Sequence, residues 1–196
     1  MPRGRPRKFN EDVALTAAMR LFWEKGLSAT SLDDLALAMD MNRPSIYNAF
    51  GNKQDIYRIS LARFCGQLDA GLQDTLEASP QIKPGLIAFF DQAIEVYCGN
   101  NPPMGCLMIC TAPSEALSHP QVGKDLSDLI RRLDKGFTSR LRRSRLDGEL
   151  SEHVDLKNTA KLLQATLQTL ALRARSGESK IGLRKLARYA VDTLIK

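Results

Sequence analysis

The sequence predicts an all-α protein in which an N-terminal three-helix unit with a helix-turn-helix precedes a larger helical part. Three observations lead there. Residues 30–53, TSLDDLALAMDMNRPSIYNAFGNK, read as two short helices joined at a tight angle. Beyond them Tyr57, Leu61, Phe64, Leu68, Leu72 and Leu76 recur at steps of three and four, the spacing of one helix face. Two C-terminal segments, 155–175 and 179–195, are apolar over more than one narrow stripe. A chain of 196 residues can bury a substantial core in two unequal parts.

The first helix is expected from a cap at Asn10 to a stop at Gly26, with Val13, Leu15, Ala17, Ala18, Leu21 and Phe22 as its apolar surface. Phe9 is placed to staple onto its first turn, and Trp23 reads as packing. Thr30 and Ser31 carry hydroxyls suited to capping the second helix, and Asp33 and Asp34 suit its positive N-terminal end. Leu32, Leu35, Ala36 and Met39 form its buried face. After Asp40-Met41-Asn42 the third helix starts, with Asn42 as cap and Pro44 in the first turn, where a missing N–H costs nothing.

On that third helix Ile46 and Phe50 are four apart and face the core, leaving Arg43, Ser45, Tyr47 and Asn48 for solvent or a ligand. In a helix-turn-helix the second helix offers its N-terminal residues to base edges in the major groove. Arg43 suits the O6 and N7 of guanine, and Asn48 suits adenine. Thr30, Tyr47 and Lys53 suit phosphate oxygens, contacts that position a protein without reading sequence. Ser31, Asn42 and Pro44 complete the candidate DNA-contact set. A solvated hairpin in an ordinary helical protein is the alternative that this local pattern leaves open.

The next helix should run for roughly 25 residues, ~37 Å at 1.5 Å per residue, a natural lever between two sites. Ser79-Pro80 and Lys83-Pro84-Gly85 are expected to break the chain before a helix through Leu86, Phe89, Phe90, Ala93, Ile94 and Tyr97. Asn100-Asn101-Pro102-Pro103 breaks it again, and Met104 to Leu117 is apolar, with Pro113 able to kink a helix. Residues 122–146 form a long helix whose stretch from Arg131 to Arg145 is strongly basic. It reads as a solvated face or one lying against acidic groups, with a second DNA site as the rival.

Thr30, Leu35-Ala36, Ile46-Tyr47, Phe50 and Lys53 match in order and spacing the DNA-binding domain of TetR-family transcriptional regulators, a resemblance covering about residues 9–56. It implies three N-terminal helices that bind DNA, followed by a more variable helical domain that dimerises and often holds a small-molecule inducer. Two departures stand out. Asp40 occupies a turn position commonly held by glycine, and aspartate tolerates the left-handed backbone better than most residues. Arg43-Pro44 is a less common start to a recognition helix and leaves the operator sequence open.

The expected organisation is therefore a basic arm over 1–8, a DNA-binding domain over 9–52 and a regulatory and dimerisation domain over 53–196. The net charge of +6 favours a polyanionic partner, and Arg3, Arg5, Arg7 and Lys8 supply four positive charges in residues 2–8, a segment with no acid. Arg3-Gly4-Arg5-Pro6 resembles the core of an AT-hook, an extended Arg-Gly-Arg that enters the narrow minor groove. A solvating basic tail is the plainer reading. Phe89, Phe90, Tyr97, Met104, Leu107 and Met108 are the candidate effector pocket, with ordinary core as the alternative. Leu163, Leu167, Leu170, Leu186, Ala190 and Leu194 are the candidate dimer interface, with a fully internal helical pair as the alternative.

The expected function is a sequence-specific regulator, a repressor released by an unknown small-molecule effector, binding a palindromic operator as a homodimer. Cys65, Cys98, Cys106 and Cys110 support a rival in which oxidants or soft metals are sensed, but their spacing is not that of a zinc ribbon and His119 and His153 do not complete a ligand set. No cofactor or metal is expected. A Gly-rich phosphate loop, a His-Glu-x-x-His and a nucleophile elbow are all missing from the sequence, which argues against an enzyme. A basic helical adaptor would account for the charge but not for the 30–53 pattern. With no signal peptide and no apolar run of about 18 residues, a reducing cytoplasmic setting without membrane attachment is expected.

Overall fold

Asn10, Ser31, Asn42, Asp155 and Ser179 each place a side-chain oxygen against free N–H groups in the first turn of a helix. In the computed structural model, which describes residues 10–195 apart from the side chains of 69–73, these caps begin five of the nine helices found among the described residues. The helices are α1 (Glu11–Lys25), α2 (Leu32–Ala38), α3 (Arg43–Phe50), α4 (Lys53–Ala78), α5 (Ile82–Tyr97), α6 (Leu107–Glu115), α7 (Pro120–Leu146), α8 (Leu156–Arg175) and α9 (Lys180–Leu194). No strand occurs among the described residues, and no helix among them is long and apolar enough to cross a membrane. Arg3, Arg5 and Phe9 lie outside the described residues.

The chain divides into two compact units after Arg63, inside α4, whereas the sequence placed a boundary at residue 53. The first turns of α4 belong with the N-terminal unit for physical reasons. Tyr57 meets Phe22 edge-on with ring centroids 5.1 Å apart, and Arg63 Nη1 donates to Asp12 Oδ1 at 2.8 Å.

In the N-terminal unit α1 buries Ala14, Leu15, Ala18, Phe22 and Trp23 and stops at Gly26, φ 79°. Val13 was expected on that face but is 65% exposed, and Ala14 takes the buried place beside Ala18. α2 packs on both α1 and α3 and begins with a capping box. Asp34 Oδ2 accepts from the Ser31 N–H at 3.0 Å, while Ser31 Oγ accepts from the Asp34 N–H at 3.0 Å. Those bonds from Ser31, with Lys25 alongside, pull the Asp34 carboxyl from 3.8 to about 2. Because the folded value is the lower one, the box stabilises fully above about 3.8 and is lost as pH falls through about 2. The turn after α2 passes through Asp40 at φ 50°, the left-handed conformation expected there.

In the C-terminal unit α8 is central, packing against α5, α6, α7 and α9. Lys83-Pro84-Gly85 does not break the chain as expected. The segment forms the first turn of α5, where proline needs no N–H partner, and Gly85 is buried there. A β-carbon on Gly85 would lie 3.2 Å from the Leu76 carbonyl oxygen, so the close approach favours glycine.

The basic run of α7 contains a residue that is not surface at all. Arg140 is 1% exposed; its Nε donates to the Leu76 carbonyl at 3.3 Å, and Nη2 to those of Ser79 and Pro80 at 3.2 and 3.1 Å. It thus caps the C-terminal end of α4, where helix carbonyls lack partners and the dipole is negative. Arg143 pairs with Glu77 at 2.9 Å, in keeping with a basic face lying against acidic groups. Arg140→Met is expected to leave these carbonyls unpaired and to destabilise the protein by about 3 kcal/mol or more, a fall in Tm on the order of 6–12 °C by thermal unfolding.

Candidate nucleic-acid interface

An eight-residue helix does not persist alone, so α3 is defined by its ends and its anchors. Asn42 Oδ1 accepts from the Ser45 N–H at 2.8 Å, Pro44 occupies the first turn, and Gly51 at φ 84° ends the helix. A β-carbon at Gly51 would also come within 2.6 Å of Asp55 Oδ2. That carboxylate accepts from the Asn52 N–H at 3.0 Å while Asn52 Oδ1 accepts from the Asp55 N–H at 3.1 Å, a second reciprocal box that starts α4. The sequence reading missed this box, although Asn52 and Asp55 have the spacing that signals one.

Ile46 and Phe50 are buried, and this turns Arg43, Pro44, Tyr47 and Asn48 outward, with Ser45 half-buried. Those side chains form one face on a short helix, the arrangement that a major groove accepts. Arg43 is also engaged within the protein. Its Nε donates to Asp33 Oδ1 at 3.0 Å and its Nη2 to the same oxygen, both residues being exposed. The bonds to Asp33 raise the Arg43 pKa further, so the guanidinium stays charged. Asp33 entered the sequence reading only as a helix-start acid.

Two predicted phosphate ligands need correction. Thr30 is buried, and its hydroxyl donates to the Gly26 carbonyl at 2.6 Å. Lys53 Nζ donates to the carbonyls of Leu27 and Thr30 at 2.9 and 2.8 Å, so the ammonium joins the start of α4 to the turn between α1 and α2. Both groups donate to backbone carbonyls beside the core; that of Leu27 also accepts from the Thr30 N–H at 3.3 Å. Ser31 and Asn42 have their side-chain oxygens in helix caps, which limits what they can offer DNA.

The candidate effector residues Phe89, Phe90, Tyr97, Met104, Leu107 and Met108 are all buried. Phe89 and Phe90 pack with Phe137, centroids 5.1 and 6.4 Å away, in an aromatic cluster. A cavity of about 20 Å³ is lined by Cys65, Leu68, Tyr97, Cys106, Ile109, Leu129, Leu133, Leu167 and Gln168. That volume is room for about one water. Of the six predicted residues it includes Tyr97 alone; the others are packed in the core of this form. Burial pushes the Cys106 and Cys110 thiols up, and Cys98 as well, so they favour the protonated form. No group of three or more His, Cys, Asp or Glu among the described residues is arranged to hold a metal ion.

The candidate dimer residues divide. Leu163, Leu167 and Leu170 are buried within their own unit and are unavailable to another chain, whereas Leu186, Ala190 and Leu194 are half-buried. The outward apolar positions on these two helices are Leu162 and Leu172 on α8 and Ile181 and Tyr189 on α9.

Comparison with known proteins agrees with this architecture. Residues 14–58 match the family model described as bacterial regulatory proteins, tetR family, and residues 83–190 match the tetracyclin repressor-like C-terminal domain. The chain is 30% identical over 193 residues, 98% of its length and 90% of the relative's, to the HTH-type transcriptional repressor ComR of Escherichia coli strain K12. A solved structure of a cysteine mutant of the TetR family transcriptional regulator CifR, complexed with 26bp double-strand operator DNA, is 29% identical. It superposes with a TM-score of 0.88 over 97% of this chain and 100% of that one. The reduced form of E. coli NemR, 18% identical with a TM-score of 0.81 over 94% and 96% of the two chains, shares the fold. The protein belongs to the TetR family and is a DNA-binding transcriptional regulator, not an enzyme.

Lys53→Met separates the joint from a phosphate contact. Losing the joint lowers stability by about 1–3 kcal/mol in thermal or denaturant unfolding. Losing a phosphate contact alone would flatten the salt dependence of DNA binding by about one ion and leave unfolding unchanged.

Proposed function

We propose that the protein is a repressor that binds a palindromic operator as a homodimer and is released by a small-molecule effector. The observation that carries this reading is the outward display of Arg43, Tyr47 and Asn48 on a helix anchored by Ile46 and Phe50. Arg43 and Asn48 read bases, and Tyr47 contacts a phosphate. Ser31, Asn42, Pro44 and Ser45 act mainly by fixing the start of each helix, and Arg3 and Arg5 extend the contact into the adjacent minor groove. The repressor sense is supported by the ComR relative, which carries that name. A regulator of this kind works in the cytoplasm, where its operator is.

The dimer uses the outer faces of α8 and α9. Ile181 is 67% and Tyr189 72% exposed, and with Leu162 and Leu172 they offer the apolar surface that a second copy covers around a two-fold axis. Two reading helices then sit about one turn of DNA apart, ~34–36 Å or a multiple.

An organic effector is favoured over thiol sensing because burial holds Cys106 and Cys110 in the thiol form, and the thiolate is the reactive species. The cavity of about 20 Å³ beside Tyr97 is far below the ~300 Å³ or more of a small-molecule site. A wider, open cleft of about 410 Å³ in the same unit is lined by Gln81, Ile82, Lys83, Pro84, Glu149 and Ile195, and release requires a form of that unit that binds the effector better than the operator-bound form does.

Selection from a random duplex library should recover a palindrome bound with a Kd of ~10⁻⁸ M or below at physiological salt. Recovery of no sequence preference even at low salt would end this reading. A double variant, Ile181→Asp with Tyr189→Asp, is expected to sediment as a folded monomer and to bind that palindrome at least about 100-fold more weakly through lost avidity.

A further inference from the structure

Arg43 has five N–H donors in a planar fork. Two of them, on Nε and Nη2, already go to a single oxygen, Oδ1 of Asp33 on the neighbouring helix α2. Two N–H groups remain on Nη1 and one on Nη2; that Nη2 N–H and one of the Nη1 pair form the end-on edge of the fork, while the other Nη1 N–H points back toward Cδ. That edge can match O6 and N7 of guanine, so the carboxylate on the side edge still leaves a bidentate pair of donors for a base. Both residues lie on the exposed surface of the N-terminal unit, and Arg43 is the first residue of α3. A long side chain at such a place would otherwise sample many rotamers and meet phosphates as readily as bases.

We infer that Asp33 is a specificity-setting residue that holds Arg43 with its end-on edge toward the groove and keeps its charge from binding DNA indiscriminately. The inference rests on the reading of α3 as the base-reading helix and adds a residue outside that helix. Asp33 is a positioning residue, since it acts on the base through Arg43. Its carboxylate also opposes phosphate, so removing the charge should strengthen binding to random DNA while weakening discrimination. A residue that only supported the start of α2 would do neither.

The test compares selected base preferences, affinity for random duplex and thermal unfolding for the full chain, D33N, Asp33→Glu, R43A and the D33N/R43A pair. R43A is expected to abolish a guanine preference at one position of each half-site. D33N should relax the same position by about tenfold and raise random-duplex affinity, and in the pair it should add nothing further at that position. Asp33→Glu keeps the charge but displaces the oxygen by one methylene, so it should relax the guanine preference while random-duplex affinity stays low. This second variant stands even where D33N lowers the unfolding temperature. The inference is overturned if both Asp33 variants keep the full guanine preference, if D33N alters a different position from R43A, or if R43A changes no position. Those outcomes leave DNA recognition standing. A wild-type chain that selects no sequence at all removes both.

Discussion

The burial of Ile46 and Phe50 is the constraint on which the interface depends. They stand four residues apart on a helix of eight, so they share one face, and once both are inside, the directions of Arg43, Tyr47 and Asn48 are set by helical geometry. Each buried side chain contributes about 1.5–3 kcal/mol. The caps at Asn42 and Gly51 add less, but they decide where the helix begins and ends, and so which residue stands first in it.

Around this anchor, charged and polar side chains act mainly as joints. Lys53 holds the carbonyls of Leu27 and Thr30, the Thr30 hydroxyl holds Gly26, and Arg140 holds the end of α4. A carbonyl left without a partner at the edge of the core costs more than a surface ion pair provides. A positive net charge is therefore a poor guide to the DNA-facing surface, because some of its most telling cations point inward.

The C-terminal unit is packed around α8, with Phe89, Phe90 and Phe137 in contact and a cavity no larger than a water beside Tyr97. The same helix pair, α8 and α9, buries Leu163, Leu167 and Leu170 inward and leaves Leu162, Leu172, Ile181 and Tyr189 outward. The apolar coverage noted along these helices thus serves two faces, only one of which is satisfied within the chain.

What the sequence by itself determined is whatever depends on neighbours within about one helical turn. The caps at Asn10, Ser31 and Asn42, the stop at Gly26, the left-handed Asp40 and the outward face of α3 follow from spacings of three and four and from backbone chemistry at helix ends. Only the tertiary structure decided the roles of Lys53 and Arg140, the side of α8 that faces outward, and which aromatic residues fill space. Lys53 reaches a carbonyl 26 residues away and Arg140 one 64 residues away. Every residue has the same carbonyl, so no side-chain pattern marks such an acceptor, and the partner is specified only when the fold brings it within reach.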